Sequence, residues 1–157
     1  MNQAIENRRS IRKYQAGFEL PREDVERLLE AAMLAPSACN TRPWEFVVVT
    51  NPAMKRNLTL VQPYCKALAD ASLAIVVCGR PELQDGIAEG FWPLDCAAAT
   101  ENLLLQATEM GYGSCWCALY PRMDRVEAVR KLLDVESMPL NIIIVGKATE
   151  SPARRGF

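Results

Sequence analysis

Histidine is absent from all 157 residues. That one absence removes the Ser-His-Asp and Cys-His nucleophilic arrangements, which need an imidazole base. It also removes the histidine ligands of the common zinc sites. Six cysteines are present, but Cys115 and Cys117 make C-x-C rather than C-x-x-C, and the spacings resemble no secreted disulfide scaffold. The expectation is therefore reduced thiols in a cytoplasmic protein, with no metal site. A charge excess is missing too: 18 basic residues face 19 acidic ones, for a net charge of -1. A dedicated nucleic-acid binder would be strongly basic, so nucleic acid is not an expected partner. Long apolar runs are missing as well. LNIIIVG, from Leu140 to Gly146, is the longest strongly apolar run and falls far short of the roughly 20 residues that span a bilayer. The opening MNQAIENRRSIRKY carries basic residues with no apolar stretch behind them, so neither a membrane nor a secretory signal is expected.

No repeat, low-complexity tract or Gly/Ser linker divides the chain, and residues 1–157 are expected to form one domain. Half the residues are apolar, enough for a substantial core. Ala4 to Arg9 reads as a short helix. Arg22 to Leu34 places Val25, Leu28, Leu29, Ala32 and Met33 on one helical face, with Pro21 just ahead. Strands are expected at Trp44–Thr50, Ala71–Cys78, Cys115–Tyr120 and Leu140–Lys147, and further helices at Pro52–Leu60 and Arg125–Leu133. Leu94 to Met110 has so little polar surface that its helix must be buried on most sides, in a core or a subunit interface, with Gly111 as its stop. Helices and strands that intermix in this way argue α/β or α+β rather than all-β.

Four constellations carry chemistry. RRSIRK, from Arg8 to Lys13, packs four cations around one hydroxyl. It reads as a solvated helix end, as an anion site built for phosphate oxygens, or as a nucleic-acid arm. APSACNTRPWEF, from Ala35 to Phe46, is a polar segment bracketed by prolines. Its Ser37, Asn40 and Thr41 either bond their own backbone or read the polar edge of a flat heterocycle or a sugar chain. GYGSCWCALYP, from Gly111 to Pro121, has glycines for a helix cap or for close approach to a ligand, but it is not a G-x-G-x-x-G dinucleotide motif. The tail SPARRGF carries Arg154 and Arg155.

The order RRSIRKY, APSACNTRPWEFVVV, FWPLDCAAATENLLLQATEMGYGSCWCALYP and IIIVGKATESPARR resembles the FMN-dependent nitroreductase family over nearly the whole chain. The resemblance implies an α+β fold with a central mixed, mainly antiparallel sheet flanked by helices, in an intertwined homodimer. It implies FMN as the bound cofactor and NAD(P)H as electron donor. Arg8, Arg9, Ser10 and Arg12 would hold the phosphate and ribityl chain, with Arg154 and Arg155 closing on the same phosphate. Pro36, Ser37, Ala38 and Asn40 would border the flavin from the partner subunit. Trp116, Cys117, Ala118 and Leu119 would face the isoalloxazine with a backbone N–H directed at N5, and Gln62 and Tyr64 would add ring or ribityl contacts.

The implied reaction is a two-step hydride transfer through flavin N5 to a small electron-poor acceptor such as a nitroaromatic or quinone. It needs position and electrostatics rather than a nucleophile, which suits a chain without histidine. The alternatives are a flavin-sequestering protein without NAD(P)H turnover and an FMN enzyme of another reductive chemistry, dehalogenation or ene reduction. Two departures from the family pattern stand out: Arg42 occupies a position where Gln is frequent, and the stretch from Gly79 to Phe91 is short, which implies an open pocket. Phe91, Trp92 and Tyr120 are candidates for a pocket wall or for plain core.

Overall fold

The computed structural model of the chain describes residues 1–154. A four-stranded antiparallel sheet is built from β1 (Trp44–Val49), β2 (Leu73–Gly79), β3 (Gly113–Ala118) and β4 (Met138–Gly146), in the order β1-β2-β4-β3. The interior strands are the most apolar ones: every residue of β2 is buried, as is all of β4 after Met138. Such strands need cover on both faces. The expected mixed character of the sheet is confined to one parallel bridge, Ser10 to Ser114, made by the N-terminal arm.

The cover comes from five helices among the described residues: α1 (Gln3–Asn7), α2 (Arg22–Met33), α3 (Pro52–Val61), α4 (Trp92–Glu109) and α5 (Met123–Leu133). Strand alternation divides the core into two layers. Ala74, Val76, Ile142 and Ile144 pack on one side with Leu58 of α3 and Val126 and Val129 of α5. Leu73, Ile75, Ile143 and Val145 pack on the other with Leu28 of α2 and Leu103 of α4. Each such fully buried aliphatic side chain contributes about 1.5–3 kcal/mol.

Local chemistry sets the boundaries. The Asn51 side chain caps α3 by accepting from Met54 N at 3.0 Å, with Pro52 as the first helical residue. Gly111, at φ +80°, ends α4 as expected. That helix begins at Trp92, two residues before its expected start. The indole lies so close to β2 that a Cβ on Gly79 would sit 2.0 Å from Trp92 Cε3. Trp92 also meets Tyr120 edge-on, ring centroids 5.0 Å apart, so these two aromatics are core, whereas Phe91 remains exposed. No helix among the described residues is long and apolar enough to cross a membrane.

Candidate active site

The arm after α1 runs along the outer edge of β3. Ser10 bridges Ser114, and the Ile11 N–H donates to Ser114 C=O at 2.9 Å. The C-terminal segment lies beside the same arm, because Thr149 N donates to Lys13 O at 3.0 Å and Gln15 N to Lys147 O at 2.9 Å. Two distant basic segments thus meet. Arg8, Arg9, Ser10, Arg12 and Arg154 line one cleft of about 900 Å³; Arg155 lies outside the described residues.

The arginines of this cleft are engaged with protein groups. Arg154 Nη1 donates to Glu6 Oε1 at 2.8 Å, and Arg8 Nε lies 3.7 Å from Glu101 Oε1. The Arg12 amide donates to Glu150 Oε1 at 2.6 Å, leaving its guanidinium with a weak contact to Ser10 O at 3.4 Å. Exposed pairs of this kind contribute only about 0–1 kcal/mol, so a dianion can displace them. Arg9 differs: its Nη1 caps the carbonyls of Glu6 and Arg8, both at 2.7 Å, and its Nε is buried without a partner.

The register of β3 decides which of its amides face out. Leu119 N donates to Leu140 O at 3.0 Å, and Cys117 and Cys115 lie opposite Ile142 and Ile144. Antiparallel pairs alternate between bonded and non-bonded positions. Cys115, Cys117 and Leu119 therefore point their backbone groups at β4, while Ser114, Trp116 and Ala118 point theirs away. The N–H groups of Trp116 and Ala118 aim at the open edge. Leu119 is 1% exposed and turned inward, which separates it from the edge amides with which it was grouped on sequence.

That edge floors a second cleft of about 610 Å³, lined by Arg12, Gln62, Tyr64, Lys66, Trp116 and Arg125 among others. Arg12 borders both clefts. The edge cleft has three cations and, among the described residues, no carboxylate. Gln62 is 1% exposed; its Nε2 donates to Ala118 C=O and its Oε1 accepts from Tyr64 N at 3.2 Å. Arg125 stacks over the largely exposed Tyr64 ring, 5.6 Å from its centroid.

Beneath the edge, Cys115 and Cys117 face the core with Cys65. Cys115 is pushed well up by its hydrogen bond with Cys117 and by burial. Cys117 is pulled down by Cys115, but the Cys65 hydrogen bond and burial outweigh this and leave it at about 12. These thiols stay protonated at neutral pH, as packing groups do.

The segment holding Pro36, Ser37, Ala38 and Asn40 leads into β1, at the far edge of the sheet from β3. Three strand spacings, about 14 Å, separate the two edges, so one chain does not join this segment to the edge cleft. The loop is tightly specified. Cys39, Asn40 and Arg42 all have positive φ, at 49°, 54° and 48°, which costs energy for residues other than glycine. Arg42 holds the turn: its N–H donates to Ser37 Oγ at 2.9 Å and its Nε to Asn40 Oδ1 at 3.0 Å. Both candidate side chains are thus engaged inside the loop by the residue that departs from the family pattern.

Asp95 of α4 braces the loop from behind. Its Oδ1 accepts from Ala38 N at 3.1 Å and its Oδ2 from Gln84 Nε2 at 2.7 Å, and Gln84 also reaches Thr41 Oγ1 at 3.1 Å. Gln84 and Arg125 were not singled out on sequence, and Asp95 only as the first residue of the DCAAATENLLL helix motif. A lone acid in an apolar helix start was the available signal for Asp95; the other two had none.

The model of the family described as "Nitroreductase family" matches residues 5–76 and 56–147. The chain belongs to the nitroreductase family. A nitroreductase relative from Methanothermobacter thermautotrophicus, named as a candidate NADH dehydrogenase/NAD(P)H nitroreductase, is 42% identical over 98% of this chain and 80% of its own length. A solved structure under the same name from Parabacteroides distasonis superimposes with a TM-score of 0.91 at 40% identity, covering 99% of this chain and 92% of that one. The FMN-dependent nitroreductase from Clostridium difficile R20291 gives 0.89 at 33% identity, covering 99% and 92%. This nitroreductase family member is accordingly an oxidoreductase with the nitroreductase α+β fold.

Proposed function

We propose that the chain is an FMN-dependent NAD(P)H oxidoreductase acting on small electron-poor acceptors, and that its site is completed in a homodimer. The observation that carries this reading is the pair of clefts sharing Arg12. One end presents Arg8, Arg12, Arg154 and the Ser10 hydroxyl, a donor set suited to a phosphate dianion. The other presents the outward N–H groups of Trp116 and Ala118 on a strand edge, with cations nearby and no acid among the described residues. A molecule with a phosphate at one end and a flat, acceptor-rich ring at the other fits that sequence of groups. FMN bound there supplies hydride acceptance from NAD(P)H and hydride delivery to a nitroaromatic or quinone.

The chain's own part is to bind, orient and polarise. Arg8 and Arg12 would neutralise the FMN phosphate, and the β3 amides would offer hydrogen-bond donors to its ring. The loop at Pro36–Asn40 would reach the same site from a second copy, a reading supported by its position beside β1, away from the β3 edge of its own chain. Ile5 and Leu34, which line one groove, are 57% and 82% exposed and offer apolar surface to a second copy. Six free thiols suit a reducing compartment such as the cytoplasm.

The test is the visible spectrum of the purified protein, followed by anaerobic titration with NADH and NADPH. The expected result is an oxidised-flavin spectrum that bleaches with one of the two donors and recovers on adding a quinone. A flavin spectrum unmoved by either donor would replace this reading with a flavin-sequestering role, and a colourless protein that takes up no FMN would end it.

A further inference from the structure

Gln62 and Arg125 form a relay that ends on the strand edge. The Gln62 side chain is buried, and its three partners have fixed polarity. Tyr64 N–H and the Arg125 guanidinium can only donate; Ala118 C=O can only accept. Arg125 Nη1 approaches Gln62 Oε1 at 3.4 Å. A flipped amide would set donors against donors and an acceptor against an acceptor, so a single orientation is allowed. Arg125 is itself held in place by stacking on Tyr64 and by its position in the first turn of α5.

The relay acts on Ala118, whose N–H and C=O both face the open edge. Gln62 binds that carbonyl from outside the sheet, where no strand pairs with it. We propose that Arg125 is a positioning residue for the cofactor site: it orients the Gln62 amide, which pins Ala118 so that its N–H keeps a constant aim into the cleft. This assignment rests on the FMN reading above. It moves Gln62 from direct ring contact to support, because its acceptor and one amide hydrogen are engaged by protein groups. It also gives Arg125 a task that a nearby positive charge alone would not perform.

The two roles separate in a double-mutant cycle on the FMN-loaded protein. The variants are Arg125→Met, which keeps the stem over Tyr64, Gln62→Met, which keeps the volume, and the pair together. FMN dissociation constants and the position of the long-wavelength flavin band are read for each. Gln62→Met should raise the dissociation constant about tenfold, and Arg125→Met, which removes only the longer 3.4 Å contact, about threefold to tenfold. The double variant should be no weaker than Gln62→Met alone, with the band displaced alike in all three, and Arg125→Lys should recover most of the loss. Losses that multiply in the double variant, or single variants within about twofold of the parent, overturn the proposal. Should Gln62→Met fail to fold by circular dichroism, Gln62→Glu replaces it, since a carboxylate there opposes Ala118 C=O and should produce the same loss. A parent protein that binds no FMN would instead refute the underlying cofactor reading.

Discussion

Asp95 Oδ1 accepts the Ala38 N–H at 3.1 Å, tying the first turn of α4 to a loop 57 residues earlier in the chain. The same carboxylate holds Gln84, which holds Thr41. Removing it takes away the partner of the half-buried Ala38 N–H and one of the two acceptors of the buried Gln84 amide, at a cost of about 1–3 kcal/mol. Asp95→Ala should therefore lower stability by that amount in urea titration. Its dissociation constant for FMN should also rise, because the left-handed turns at Cys39, Asn40 and Arg42 lose their support. Unchanged unfolding midpoints would show that the brace is not under load.

Arg12 is the cation common to both clefts. Arg12→Ala should weaken FMN more than Arg9→Ala does, since Arg9 is already engaged with the carbonyls at the end of α1. Dialysis followed by flavin absorbance ranks the two variants. Equal retention would contradict the assignment of Arg12 to both ends of the ligand.

Gly79 leaves room for the Trp92 ring, and a methyl group there would lie 2.0 Å from Cε3. Gly79→Ala should destabilise by about 1–3 kcal/mol or more. Adding Trp92→Leu should recover part of that loss, as thermal melts would register. A neutral Gly79→Ala would mean that the indole shifts freely, against its edge contact with Tyr120.

Thiol chemistry should divide the six cysteines. Cys39 is exposed in the single chain and the other five are buried, so iodoacetamide should label Cys39 first, more slowly in the FMN-loaded dimer, and the rest only after denaturation. Burial, first among the causes, raises Cys78 and Cys96 to about 12 from 9.0, and Cys117 also lies near 12. Between pH 9 and 12 the unfolded chain has released protons that the native one retains, so stability falls with rising pH in that window. Below pH 9 this contribution is fully present. Urea midpoints should drop across pH 9–12, and Cys96→Ala should flatten the slope; a pH-independent midpoint would exclude thiol linkage.

Much of the fold was legible because it follows from short-range pattern. The apolar runs of β2 and β4, the one-sided α2 and the Gly111 stop each lie within a few residues. The cation clusters at Arg8–Arg12 and Arg154 were legible as chemistry, and the arm pairing with β3 brings them together. What escaped depended on register or on long-range partners. Nothing in CWCAL tells which amides face β4; the offset between Leu119 and Leu140 decides it. Asp95 looks like a helix-start acid until Ala38 is found against it. Arg125 looks like one more surface cation until the amide of Gln62, far away in the chain, gives it direction.

The outward amides of Trp116 and Ala118 have one more consequence. A strand that offers unpaired N–H groups beside an exposed indole is a template for another chain's backbone. On the proposed reading the cofactor occupies that edge and guards it against strand addition. FMN-free protein should then scatter more light on standing than FMN-loaded protein at the same concentration.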